Sequence, residues 1–209
     1  MSTAVTPLSR RAAGACVAGA VLTVAGAVVT GIAISSTTVD DDLFGYPFEG
    51  AGATTFALAA AVAHLLVLVG LAGFRRSGAA GPGRAAEVGC LLAIAGTGLL
   101  FVAEFASIPV ADQVESDGAA GAVGALFGLA TIVLAAGLLT AGWTTLHAGR
   151  WQDWRRFTPL ACGISVVVLI PVQLTSALWI GVGAYGLCFL ALGIALAGRT
   201  EPAAVPVPA

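Results

Sequence analysis

Six stretches of the chain carry almost nothing but apolar residues, at about 12–34, 53–74, 87–108, 119–146, 158–178 and 180–198. Each is close to the ~20 residues that an α-helix needs to cross a ~30 Å hydrocarbon layer. The last two are nearly continuous. The stretch from Pro159 to Ala197 is too long for one crossing and long enough for two, which predicts a tight turn near Trp179 to Gly183. There, two glycines relieve the backbone and Trp179 sits at headgroup level. The pattern predicts an all-α integral membrane protein, a six-transmembrane-helix bundle over 12–198. Residues 1–11 precede it, and a tail at 199–209, rich in Pro and Ala, is expected to be disordered.

The polar residues between the runs sort by sign. All nine basic residues are arginines: Arg10 and Arg11 before the first run, Arg75, Arg76 and Arg84 in the second gap, Arg150, Arg155 and Arg156 in the fourth, and Arg199 after the last. The gaps 35–52 and 109–118 hold Asp40, Asp41, Asp42, Glu49, Asp112, Glu115 and Asp117 instead. Short loops rich in arginine stay in the cytosol, so the pattern places both termini on the cytoplasmic side of the cell membrane and the acidic loops outside. A cleaved signal peptide at the first run is the alternative and would leave five spans. The even runs end alike, in GLAGFRR, LHAGRW and IALAGR, and cysteines open the odd runs. Three helical hairpins of common origin would give this pattern, as would shared membrane-exit chemistry.

Composition narrows the class. Hydrophobic residues make up 58% of the 209 positions, charged residues 10%, and the mean hydropathy is +0.99, beyond what a water-soluble core and its polar shell can carry. A net charge of -2 without a basic block excludes nucleic acid as a partner. Abundant Ala and Gly with no Lys reflects the coding bias of a GC-rich, bacterial genome. Cys16, Cys90, Cys162 and Cys188 form no C-x-x-C pair and read as small packing residues in a reducing compartment. Small residues recur at helical spacing, as at Ala15, Gly19, Gly26 and Thr30 and at Gly186 and Gly193. They allow close helix approach inside the bundle and, second, in a homo-oligomer or with a membrane partner.

Few residues can carry chemistry within the apolar runs. Glu104, in LLFVAEFASIP, lies about four residues from the outer end of the third run, and a carboxylate there must face the bundle interior, a partner or water. His64 is the intramembrane base, and at ~1.5 Å per residue it should lie roughly 9 Å deeper than Glu104, so a direct pair needs tilt, a water or an intervening polar group. Gln173, Thr175 and Ser176 on the fifth run and Thr30 on the first fall in the same outer half. Together the six outline a polar pocket opening outward, although a network fastening helices would use the same residue types. Pro171 frees a carbonyl nearby and is expected to kink the fifth helix toward the cluster.

Two loops have unusual composition. In STTVDDDLFGYPFEG, neighbouring aspartates read as solvated charge rather than a metal site, while Leu43, Phe44, Tyr46, Pro47 and Phe48 are expected to fold onto the interface, cap the bundle or form a lid. In GWTTLHAGRWQDWRRFTP, Trp143, Trp151 and Trp154 with Arg150, Arg155 and Arg156 read as an anchor at the lipid interface, with affinity for anionic headgroups. His147 in that segment reads as inert.

Haem held between helices needs two histidines at matched depth, retinal needs a lysine, and no zinc, hydrolase-elbow or phosphate-loop motif occurs, so no cofactor or metal is expected. An acid and base reaction on a lipid by Glu104 and His64 is the weaker, enzymatic reading. The stronger expectation is binding or transport of a small molecule or proton through the outward-facing pocket. The alternative is a non-catalytic structural or accessory subunit.

Overall fold

A computed structural model describes residues 7–116, 118–173, 175 and 177–198. Ser176, Asp117, Arg199 and the tail expected to be disordered lie outside the described residues. The elements are α1 (Pro7–Ile34), α2 (Gly50–Ser77), α3 (Arg84–Ser107), α4 (Gly118–Ala148), α5 (Thr158–Val172) and α6 (Leu178–Ala197), with 3₁₀ turns at Ile108–Val110 and Asp153–Phe157. The six helices are long and apolar enough to cross a membrane, α5 together with the turn before it, over Asp153–Val172. Among the described residues there is no strand, only an isolated bridge between Leu43 and Val114. The chain is an all-helical, multi-pass membrane protein.

Large apolar side chains point outward, as with Val28, Ile32, Leu129, Ile132, Val168 and Leu187, each more than half exposed. A helix apolar all round suits a lipid solvent, and many of the positions that turn inward are small, alanine above all, with Phe74, Phe189 and several leucines among them. Each helix packs on its chain neighbours and α1 packs on α6, so the six close a ring. Contacts at glycine set how close the helices come. A Cβ on Gly137 of α4 would lie 2.2 Å from the Ala93 backbone nitrogen, and one on Gly96 of α3 2.5 Å from that of Leu134. A Cβ on Gly19 would meet the Ala63 carbonyl oxygen at 2.7 Å, and one on Gly193 the Val17 nitrogen at 3.0 Å. Gly26 and Gly186 likewise face Phe56 and Val24 of this same chain, so these glycines are used within the bundle.

The join between α5 and α6 differs from expectation. α5 ends at Val172 and α6 begins at Leu178, and Trp179 to Gly183 belong to the first turns of α6. Pro171 crowds the preceding turn and lacks an N–H, and α5 ends one residue beyond it instead of kinking onward. The two glycines serve contact, not the turn: a Cβ on Gly181 would lie 2.7 Å from Leu169, and Gly183 faces Ala27 at 3.6 Å. Trp179 lays its indole over Gly31 of α1.

The two ends of the bundle are built differently. At the acidic end the loop before α2 is laced to the loop after α3: Gly45 N–H donates to the Ala111 carbonyl at 2.8 Å, Phe44 N–H to that of Gln113 at 2.9 Å, and Glu115 N–H to that of Asp42 at 2.9 Å. At the arginine end α2 closes on Gly78, whose φ of 67° suits glycine, and the Arg150 guanidinium donates to the Gly78 carbonyl at 3.0 Å.

Candidate functional site

Glu104 lies seven residues from Thr97 and fourteen from Cys90, two and four helical turns along one stripe of α3. Thr97 and Cys90 are buried, while Val88, Val102 and Phe105 face out. The stripe therefore carries Glu104 inward. His64 lies seven residues from both Ala57 and Leu71 on α2, each buried, with Leu58, Val62, Leu65 and Val69 on the opposite, exposed side. Both titratable groups thus face the ring interior from adjacent helices.

They meet. His64 Nδ1 lies 3.4 Å from Glu104 Oε1, with the side chains only 14% and 12% exposed. The separation in depth expected from counting residues is closed by side-chain direction. Helical side chains lean toward their own N-terminus. Because α2 starts at the acidic end and α3 at the arginine end, His64 leans toward the acidic end and Glu104 away from it. The distance is that of a charge pair, yet the alignment is not that of a hydrogen bond, and Nδ1 is buried without a hydrogen-bond partner.

The other polar residues are engaged elsewhere. Gln173 donates its amide to Thr131 Oγ1 at 3.3 Å, tying the end of α5 to α4, and Thr131 in turn donates to the Phe127 carbonyl at 2.8 Å. Thr175 is exposed and its hydroxyl donates to the Val172 carbonyl at 2.9 Å. Thr30 is half-buried on α1 and makes no hydrogen bond to the pair among the described residues. Thr97 donates to the Ala93 carbonyl of its own helix at 2.9 Å. Over this region sits the aromatic loop: the Phe44 ring lies 6.3 Å from that of Phe127, and Phe48 stacks on Phe56 at 4.8 Å.

At the arginine end the interfacial reading needs one correction. Trp143 and Trp154 are exposed, but Trp151 is 5% exposed and packs its ring 5.5 Å from Phe74, inside the protein. Arg150 directs its guanidinium to the end of α2, which turns the neighbouring indole inward. Arg156 lies over the Phe157 ring at 4.7 Å. His147 bonds through Nδ1 to the Trp143 carbonyl at 2.9 Å. An open depression of about 260 Å³, lined by Ala80, Pro82, Ala86, Thr144 and His147, lies at this end, remote from the His64 and Glu104 pair.

Residue counting missed two contributors. Glu87, at the start of α3, accepts from Arg75 Nε at 3.0 and 3.1 Å, an exposed clasp between α2 and α3. Its signal was an acid at the edge of an apolar run, facing a gap of arginines. Tyr185, on α6, is 4% exposed and its hydroxyl has no hydrogen-bond partner. Nothing in its apolar surroundings, LWIGVGAYGLCFL, distinguishes it from a packing residue. Comparison with protein-family models, with curated proteins and with solved structures gives no match.

Proposed function

We propose that this chain crosses the cell membrane six times with both termini in the cytosol and binds or moves a proton at the His64 and Glu104 pair. In this orientation the hairpins α1–α2, α3–α4 and α5–α6 start and finish on the arginine side, and the acidic loops face out. One observation carries the functional reading: an imidazole and a carboxylate 3.4 Å apart and mostly buried, inside a bundle with an apolar outer face. Ionisable groups at such depth are costly, and a pair can hold one proton on either member without changing its net charge. A small solute reaching the pair from the acidic side, with Gln173 and Thr131 along its way, is the broader form of the same reading. Trp143, Trp154, Arg155 and Arg156 anchor the cytosolic face among anionic headgroups.

The accessory-subunit reading is favoured by a different observation: Gln173 and Thr131 satisfy each other, and Thr97 and Thr175 bond to their own backbone, as polar residues that only fasten helices would. Proton flux into liposomes, followed with an internal pH dye, separates the two. Native flux that Glu104→Gln abolishes while the protein still folds supports the proton site. No flux from the native protein, with Glu104→Gln lowering its unfolding temperature, supports the accessory role.

A further inference from the structure

Two buried polar atoms are unpartnered among the described residues, His64 Nδ1 and the Tyr185 hydroxyl. They are on different helices of one ring. Tyr185 shares its stripe of α6 with Phe189 and Leu192, both fully buried, and its ring lies 4.7 Å from that of Phe189. Its face is therefore the ring interior. Depth follows from close contacts at glycine: Gly186 meets Val24 of α1, Gly19 meets Ala63 of α2, and Gly98 of α3 meets Leu68 of α2. Stepping across these contacts places Tyr185 and Glu104 within about one and a half helical turns of the same level. Glu104, Cys16 and Cys162 are the titratable groups within electrostatic reach of the hydroxyl. Cys16 is already committed, its thiol lying 3.5 Å from the Phe189 carbonyl.

We propose that the Tyr185 hydroxyl, His64 Nδ1 and the Glu104 carboxylate form one buried site for a single water molecule, across which the proton of the pair moves. The inference rests on the proton-site reading and adds its third member and its ligand. A phenylalanine would fill the same apolar space, so the hydroxyl needs a polar counterpart. Water fits because it offers two donors and two acceptors to the imidazole nitrogen, the carboxyl and the hydroxyl of such a site. In the transfer, the Glu104 O–H bond breaks as its proton joins the water oxygen, and a water O–H bond breaks as the Nδ1–H bond forms. Glu104 ends as carboxylate, His64 as imidazolium, and the water and the total charge are unchanged. Tyr185 keeps its proton throughout and donates to the water or to the carboxylate.

Infrared difference spectra of the full chain in liposomes, between acidic and neutral pH, test this. The native protein is expected to show a protonated carboxyl C=O band that Glu104→Gln removes, and a water O–H band that moves in H₂¹⁸O. In Tyr185→Phe the carboxyl band should rise in wavenumber, as a weaker hydrogen bond dictates, and the water band should be lost. If that variant does not fold, 3-fluorotyrosine placed in Tyr46→Phe protein labels Tyr185 alone, since the chain has two tyrosines. The more acidic phenol should then lower the band. A carboxyl band that Glu104→Gln removes but that neither change at Tyr185 moves overturns the three-group site while leaving the proton site standing. Absence of any band assignable to Glu104 overturns both.

Discussion

A carboxylate and an imidazole that touch in an apolar bundle depend on each other for their cost. Removing either strands the other, so the two losses should not add. We expect His64→Leu and Glu104→Leu, singly and together, to show a coupling of about 0.5–3 kcal/mol in denaturant unfolding from micelles. Additivity within error would mean that the groups are independent despite their 3.4 Å contact. Trp151 offers a second measurement at this scale. Packed on Phe74, it should cost about 3–5 kcal/mol when replaced by alanine. The exposed Trp154 should cost within about 0.5 kcal/mol. Both indoles stand among arginines, and local composition cannot tell a headgroup anchor from a buried plug. Glu104 and His64 were legible as rare polar residues in apolar runs. Their contact was not, because residue counting measures the rise of the backbone and ignores the opposed lean of side chains on antiparallel helices.

Among the elements, α3 and α4 make the most extensive contact, and three glycines, Gly89, Gly96 and Gly137, let their backbones approach. Gly137→Val should therefore destabilise the bundle strongly, by a few kcal/mol, because the new Cβ would lie 2.2 Å from the Ala93 nitrogen. On the same helix Gly128 has nothing within 4 Å of a Cβ, and Gly128→Ala should be neutral or stabilising by up to ~1 kcal/mol through helix propensity. Equal effects of the two in thermal unfolding would contradict this packing. The helices themselves were legible because a run of ~20 apolar residues has few other uses. The boundary between α5 and α6 was less so: Gly181 and Gly183 read as turn residues, yet their small size serves contact with Leu169 and Ala27. Pro171 marked the true end of α5.

For the whole molecule, orientation is the property to measure first. With Arg84→Cys and Asp41→Cys in a background lacking the native cysteines, a membrane-impermeant thiol reagent should label position 41 from outside intact cells and position 84 only after lysis. The reverse would invert the bundle and, with it, the side from which a proton would reach Glu104 in the proposed site. Closure of the ring was not legible, since nothing in a list of six runs says that the first and last are neighbours. The glycines that make it so, Gly186 and Gly193, looked like small residues in a chain full of them. That α1 and α6 lie together also orders the assembly in time. During synthesis α1 enters the bilayer before the other five helices and must hold one flank uncovered until α6 arrives. A chain stalled before Leu178 would expose that flank to whatever membrane quality control surveys unpaired helices.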